Sequence, residues 1–284
     1  MTNSPRCLKA ETRSKLRRIN TSGRVIHLNN TDDPRLKPYT ALKDRQLAAE
    51  MGLFVCEGEH NVRRLLASSF KVESLLIAEH RWDTWSESVP DGVDVYVASN
   101  ELLSGVVGFQ FHLGVLACGV RPDAAEVDSL LPAKTLVCLP EIRNAENLGL
   151  IARAAHGLGA DGLLLSDIGC DPFTRRVIRV SMGSVFGLPI VRSEHLADDL
   201  KQLKESQNMA LVAATIDGDP QPLTTYKRSE ESSGVVVLLG NEPDGLGPHW
   251  VELCDHRVCI PMSAGVDSLN VAVAAGIFLH HLMG

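Results

Sequence analysis

The last 45 residues, GNEPDGLGPHWVELCDHRVCIPMSAGVDSLNVAVAAGIFLHHLMG (240–284), decide how the chain is built. One apolar, β-branched run, GVVVLL from Gly234, leads into them, and a second, RVCIPM from Arg257, lies inside them. Each run stops at a polar bend that carries glycine, and a helix is predicted to open at Ser268. Such bends leave backbone N–H and C=O groups open to a partner. Leu269, Val271, Val273, Ile277, Phe278 and Leu279 point several ways round the predicted helix, so wide burial is expected. Ser268 and Asn270 then stand at its mouth. They read either as an N-cap and a first-turn residue or as polar groups facing a cavity.

Upstream the same alternation continues. TLVCLP, GLLLSD, LPIVRS, ALVAATI, VVVLLG and RVCIP are short β-rich runs with helical patterns between most of them, which predicts a parallel sheet covered on both faces. Before residue 121 the elements are shorter: a helical KDRQLAAEM, a strand LFVCEG, a helix over 61–68, a strand VESLLIAE, a helix near Trp82, then VDVYVAS, a short helix and GVLACGV. Between the two groups RPDAAEVDSLLPA is rich in Pro, Ala and acid. The expected organisation is a basic arm over 1–30 with little fixed structure, a small α/β domain over 31–120, a linker over 121–133 and a larger α/β domain over 134–284.

With 284 residues, 44% of them hydrophobic, the chain can bury a full core. No apolar run reaches the roughly 18 residues of a membrane helix, so a soluble protein with no membrane partner is expected. Seven cysteines, an odd number without a Cys-x-x-Cys pair, give neither a disulfide framework nor a zinc pattern, and point to reduced thiols in a cytoplasmic compartment. The ten histidines are scattered without a His-Glu-x-x-His grouping, so no metal is expected. Charge is uneven: residues 1–45 hold 11 Lys or Arg against 4 Asp or Glu, the remainder 17 against 31. A basic arm before an acidic body suggests a local polyanion contact. A solvated tail reads equally well, and a transit peptide is a third reading, though the arm lacks an amphipathic stripe.

Gly157, Gly159 and Gly162 spell Gly-x-Gly-x-x-Gly, the dinucleotide fingerprint. That fingerprint must follow a strand and open a helix, whereas these glycines end a helix and precede GLLLSD, so Gly159 reads as a C-cap. In the preceding NLGLIARAAHGL, Leu148, Ile151, Ala155 and Leu158 form one stripe and Arg153 lies nearly opposite it. Gly149 and Gly157 flank Arg153 at spacing four, where a subunit, a ligand or another backbone can come close. Asn147 reads as a cap or as a residue holding the preceding loop over a ligand. Arg175, Arg176, Arg179 and Arg192 sit among small and apolar residues, either as phosphate binders or as a solvated face.

Three stretches together resemble the SpoU/TrmH group of the SPOUT superfamily, RNA ribose 2′-O-methyltransferases: ENLGLIARAAHGLGADGLLL with Asn147 and Arg153, LLGNEPDGLG with Gly240, Asn241, Glu242 and Gly245, and IPMSAGVDSLNVAVAAG with Ile260, Pro261, Met262, Ser268, Leu269 and Asn270. The resemblance covers about 134–284, and LFVCEGEHNVRRLL with its surroundings is similar to the group's smaller, ribosomal-protein-like substrate domain. It implies a parallel sheet whose C-terminal part is threaded as a trefoil knot, a topology that general folding rules argue against. It also implies S-adenosyl-L-methionine held by Leu239, Gly240, Asn241, Ile260, Met262 and Leu269. Arg153, Asn147, Glu242, Ser268 and Asn270 are the implied catalytic residues, without a metal. Implied partners are RNA, ribosomal before transfer RNA, and a second copy of the chain, with Arg153 reaching the other protomer's cofactor. Pro243 and Asp244 depart from the small residues relatives carry in that loop. Two other classes compete. A non-catalytic RNA-binding or assembly factor is disfavoured by the joint presence of Asn147, Arg153, Glu242, Ser268 and Asn270, and a nicotinamide enzyme by the misplaced glycines.

Overall fold

The computed structural model of the chain describes residues 23–40, 44–108, 110–241, 245–263 and 268–283. The first unit comprises β1 (Val25–His27), α1 (Asp44–Met51), β2 (Leu53–Glu57), α2 (Glu59–Leu66), β3 (Val72–Ala78), α3 (Trp82–Trp85), β4 (Asp94–Ala98), α4 (Asn100–Val107) and β5 (Val115–Val120). Its five-stranded sheet runs β1-β4-β3-β5-β2; β1, β4 and β3 are parallel, and β5 is antiparallel to both β3 and β2. The element absent from the sequence reading is β1. Residues up to 30 were expected to lack fixed structure, yet Val25–His27 pairs with β4, Leu28 is buried, and Arg24 meets Asp94 at 2.9 Å. Three residues are too few to show a period of two, which is why the strand is silent in the pattern. Residues 1–22 of the arm lie outside the described residues.

The second unit comprises β6 (Thr135–Leu139), α5 (Ala145–Leu158), β7 (Gly162–Ser166), α6 (Arg175–Val180), β8 (Ile190–Ser193), α7 (Leu196–Glu205), β9 (Met209–Ala214), β10 (Gln221–Pro222), β11 (Gly234–Leu239), α8 (Pro248–Leu253), β12 (His256–Cys259) and α9 (Val271–Met283). Its strands lie in the order β10-β12-β9-β11-β6-β7-β8, and every neighbouring pair is parallel. The six β-rich runs of the sequence are β6, β7, β8, β9, β11 and β12; only the two-residue β10 was missed. Both faces are covered, so the central strands are apolar at successive positions. Val137, Leu163, Val235 and Val237 face a core shared with α5 and α9, while Leu136, Leu164, Val236 and Leu238 face one shared with Leu200, Leu203 and Val251 of α7 and α8.

The two units share a core. Phe54 of β2 stacks on Phe173 and Phe186 at 5.5 and 5.7 Å, and Phe70 meets both edge-on. Arg64 of α2 donates to the carbonyl of Met182 at 2.7 Å. Arg175 of α6 reaches the Asp44 carboxylate of α1 with its backbone N–H and its Nε, both at 3.2 Å. The stretch 121–133, read as a linker, lies against both units: Val127 and Leu130 are buried under the larger sheet, and Arg121 N–H donates to Gly52 O of the smaller unit at 2.9 Å. Among the described residues no helix is long and apolar enough to cross a membrane.

Candidate active site

Strands β9, β11 and β12 lie side by side and parallel, so the loops leaving them emerge at one edge, where open α/β sheets bind ligands. There they enclose a cleft of about 410 Å3. Three loops build it. After β9 come Thr215, Ile216 and Asp217, with the Asp217 N–H donating to Thr215 Oγ1 at 3.0 Å. After β11 the chain turns back on itself: Asn241 N–H donates to Gly245 O at 3.0 Å and Gly245 N–H to Asn241 O at 2.9 Å. A Cβ on Gly240 would lie 2.1 Å from the Gly245 carbonyl carbon and 2.2 Å from the Leu246 nitrogen, so glycine alone permits this crossing. After β12, Ile260 and Met262 lie beyond the last ladder pair, Cys259 with Pro222, and their peptide groups are free of the ladder.

All six residues expected to hold a cofactor, Leu239, Gly240, Asn241, Ile260, Met262 and Leu269, line this cleft, and so does Ser268. The sequence reading missed the loop after β9 and the α9 residues Val271, Ala274 and Phe278. The signal for the loop was present, since ALVAATI runs straight into the Asp-Gly pair of a turn at the same sheet edge. The described lining holds a single charged side chain, Asp217, and no Lys, Arg or His.

The other expected residues fall in different places. Helix α9 begins at Val271 and not at Ser268, because Asn270 is the cap: its Oδ1 accepts from Ala272 N–H at 2.9 Å, and its carbonyl from Ala274 N–H at 3.0 Å. Asn270 Nδ2 also donates to Asn147 Oδ1 at 3.0 Å, which joins the mouths of α9 and α5. Asn147 is buried and does not cap α5; Asn144 does, accepting from Glu146 N–H at 2.8 Å. Glu242, with Pro243 and Asp244, lies outside the described residues.

Arg153 is exposed on α5, does not line the cleft of its own chain, and its side chain makes no hydrogen bond or ion pair among the described residues. The two glycines beside it differ. Gly149 is filled from within, since a Cβ there would meet Val180 of α6 at 2.8 Å, while Gly157 faces open space. Gly159 is the left-handed C-cap, with φ 87°, and Gly162 opens β7, so the three glycines form no phosphate loop. Helix α9 is less buried than expected: Ala275, Phe278 and Leu279 pack inward, but Val273 and Ile277 are 52% and 38% exposed. With Leu150 and Leu158 of α5, also exposed, they leave an apolar surface on the α5–α9 pair. Among the described residues no group of three or more His, Cys, Asp or Glu is placed to hold a metal.

The SpoU rRNA Methylase family profile matches residues 134–280, and an MRM3-like substrate binding domain matches residues 33–109. An uncharacterized tRNA/rRNA methyltransferase of Mycobacterium tuberculosis is 35% identical over 252 residues, 87% of each chain. The 23S rRNA guanosine 2′-O-methyltransferase RlmP of Bacillus subtilis is 26% identical over 257 residues, 90% of this chain and 99% of the relative. Among solved structures, an AdoMet-bound rRNA methyltransferase from Sinorhizobium meliloti superposes with a TM-score of 0.78 at 27% identity, covering 90% of this chain and 97% of that one.

Proposed function

Because the chain belongs to the SpoU rRNA methylase family, we propose that it transfers a methyl group from S-adenosylmethionine to the 2′-hydroxyl of a ribose in structured RNA, ribosomal RNA before transfer RNA. The observation that carries the reading is the cleft. It is apolar on its walls, rich in peptide groups outside the ladder, and bears one carboxylate and no cation among the described residues. A purine and a positively charged sulfonium suit such a lining; a dinucleotide pyrophosphate, which calls for helix N-termini or basic groups, does not. When bound, S-adenosylmethionine supplies an activated methyl group whose leaving sulfide departs neutral, so the reaction as proposed needs no metal.

Leu239, Gly240, Asn241, Ile260, Met262 and Leu269 hold the donor: their peptide groups read the adenine edge and their apolar atoms enclose the ring. The protein's remaining task is to align the ribose hydroxyl in line with the methyl group and stabilise its loss of a proton. Arg153 carries the second part. A guanidinium stays protonated, so it holds phosphate and ribose and stabilises developing alkoxide instead of acting as base, and the hydroxyl proton passes to solvent as the new C–O bond forms and the S–CH3 bond breaks. Ser268, Glu242 and the Asn147–Asn270 pair orient the hydroxyl.

Arg153 does this across a homodimer. The exposed apolar surface of α5 and α9 supports that assembly, and Arg153 stands on the same helix, outside its own cleft. The C-terminal trefoil knot is part of the same reading. Its support is the chain's route: β11 inserts between β9 and β6, β12 lies beyond β9, and α9 then returns to pack on α5. We place the domain boundary within 121–133 and the protein in the cytoplasm, where the six described cysteines, all free thiols, stay reduced.

Calorimetry with S-adenosylmethionine and with NAD tests the cleft, and only the first is expected to bind. Arg153→Ala is expected to lower methyl transfer to RNA at least ~100-fold, the effect of deleting one transition-state donor, while donor binding survives. Retained turnover would refute the role of Arg153.

A further inference from the structure

Every cation between residues 143 and 192 is an arginine: Arg143, Arg153, Arg175, Arg176, Arg179 and Arg192, against four acids. The rest of the chain after residue 45 holds 11 Lys or Arg against 27 Asp or Glu, so this cluster interrupts a strongly acidic body. The fold divides the cluster. Arg175 is committed to Asp44 and to the carbonyl of Thr40, and Arg192 donates to Asp167 O at 2.8 Å. Arg176 pairs with Glu146 and Arg143 with Glu141. Arg153 and Arg179 remain, exposed and with side chains that make no hydrogen bond or ion pair among the described residues.

Arg179 follows Arg175 by one turn of α6, and Arg175 is clamped to Asp44 at the start of α1. The next residue of α1 is Arg45, which is likewise exposed and without a partner among the described residues. Arg45 and Arg179 therefore flank the seam where the two units meet, and on the other side α6 packs on α5, which carries Arg153. The shared aromatic core holds both sides of that seam together. The acids at the seam, Asp44, Glu57 and Glu146, are taken by Arg175 and Arg176, which leaves Arg45 and Arg179 as exposed planar donors that match phosphate oxygens and suit a nucleic-acid backbone better than a base edge.

We propose that Arg45 and Arg179 form a phosphodiester track that carries the RNA strand from the small unit across the seam to Arg153. This rests on the RNA methyltransferase reading and adds to it the route by which the substrate enters. The track reads no sequence; it sets the register of the strand that reaches the cleft.

The test uses the full-length chain and a labelled RNA hairpin, with affinity measured as a function of salt. Each phosphate contact contributes about 0.7 to 0.9 to the slope of log K against log salt, so Arg45→Ala with Arg179→Ala is expected to reduce that slope by about 1.4 to 1.8 and to weaken binding about tenfold near physiological salt. Arg45→Lys with Arg179→Lys retains both charges and is expected to restore the slope. Calorimetry with S-adenosylmethionine is expected to be unchanged in all three proteins, which also shows that they are folded. An unaltered slope in the double Ala variant with donor binding intact overturns the track and leaves the methyltransferase reading standing. Failure of the unsubstituted chain to bind S-adenosylmethionine overturns that reading instead, whatever the slope does.

Discussion

The two sheets meet in one core but follow opposite rules. In the seven-stranded sheet every pair is parallel, so each strand needs a crossover and the loops after β9, β11 and β12 gather at one edge as a cleft. In the five-stranded sheet β5 runs antiparallel to both neighbours, so turns fall at both ends, and none of the cleft's described lining comes from before Ala214. The difference assigns chemistry to the larger sheet and leaves the smaller one to act through its position. That division breaks most directly at Gly240. A Cβ there would stand 2.1 Å from backbone, which no rotamer change relieves, so Gly240→Ala is expected to reduce S-adenosylmethionine affinity about 100-fold or more, a loss of about 3 kcal/mol. Wild-type affinity by calorimetry would show that the cleft is not the donor site.

The fusion of the two units is probed next. Phe173 stacks on Phe54 at 5.5 Å, and removing a buried aromatic ring typically lowers stability by about 3–5 kcal/mol. Phe173→Ala is expected to do so and to split one calorimetric unfolding transition into two. A single transition shifted by less than a degree would mean that the Phe173 stack is not what couples the sheets.

Much of this was legible in the sequence, and what was not has physical causes. Strands β6, β7 and β11, buried on both faces, announce themselves as continuous apolar runs, and the six residues that the family resemblance implied for the donor, drawn from two stretches, all lie in the cleft's lining, though they are only part of it. The joining of the units was silent because Phe54, Phe70, Phe173 and Phe186 are far apart in sequence and nothing local marks them as one cluster. The start of α9 was misplaced for a related reason. Ser268 and Asn270 are both good caps, and the choice between them turns on the long-range bond from Asn270 to Asn147. The fate of the arginines was equally hidden, since Arg175 and Arg179 differ in sequence only by one helical turn, yet one is bound to Asp44 and the other is exposed.

Buried thiols compare the two sheets in another way. Burial pushes Cys118 of β5 and Cys254 beside α8 up to about 12, and Cys138 of β6 well above its usual range. The folded state therefore keeps protons that the unfolded chain releases above about pH 8.5, so stability is full below that pH and falls as pH rises towards 12. Between pH 8 and 10 each fully buried thiol is expected to remove up to about 2 kcal/mol, read as a fall in the urea midpoint. Cys118→Ala and Cys138→Ala should each flatten the same limb if the sheets unfold together. Flattening by one alone would separate them.

The smallest expected effect lies at the Asn147–Asn270 contact, which ties the first helix of the larger unit to its last. Asn270→Ala removes a cap, worth about 1 kcal/mol, and leaves Asn147 Oδ1 buried without its 3.0 Å partner. Asn147→Ala removes the partner but leaves the cap, since Ala272 N–H still meets Asn270 Oδ1. A double-mutant cycle on urea midpoints isolates the pair, with a coupling of about 0.5–1.5 kcal/mol expected. If the pair also orients the ribose hydroxyl, turnover in each single variant should fall by more than the lost stability accounts for at a temperature where both remain folded, with donor affinity unmoved. Turnover that tracks only the folded fraction would reduce the contact to a strut between α5 and α9, and the orienting role would pass to Ser268 and Glu242.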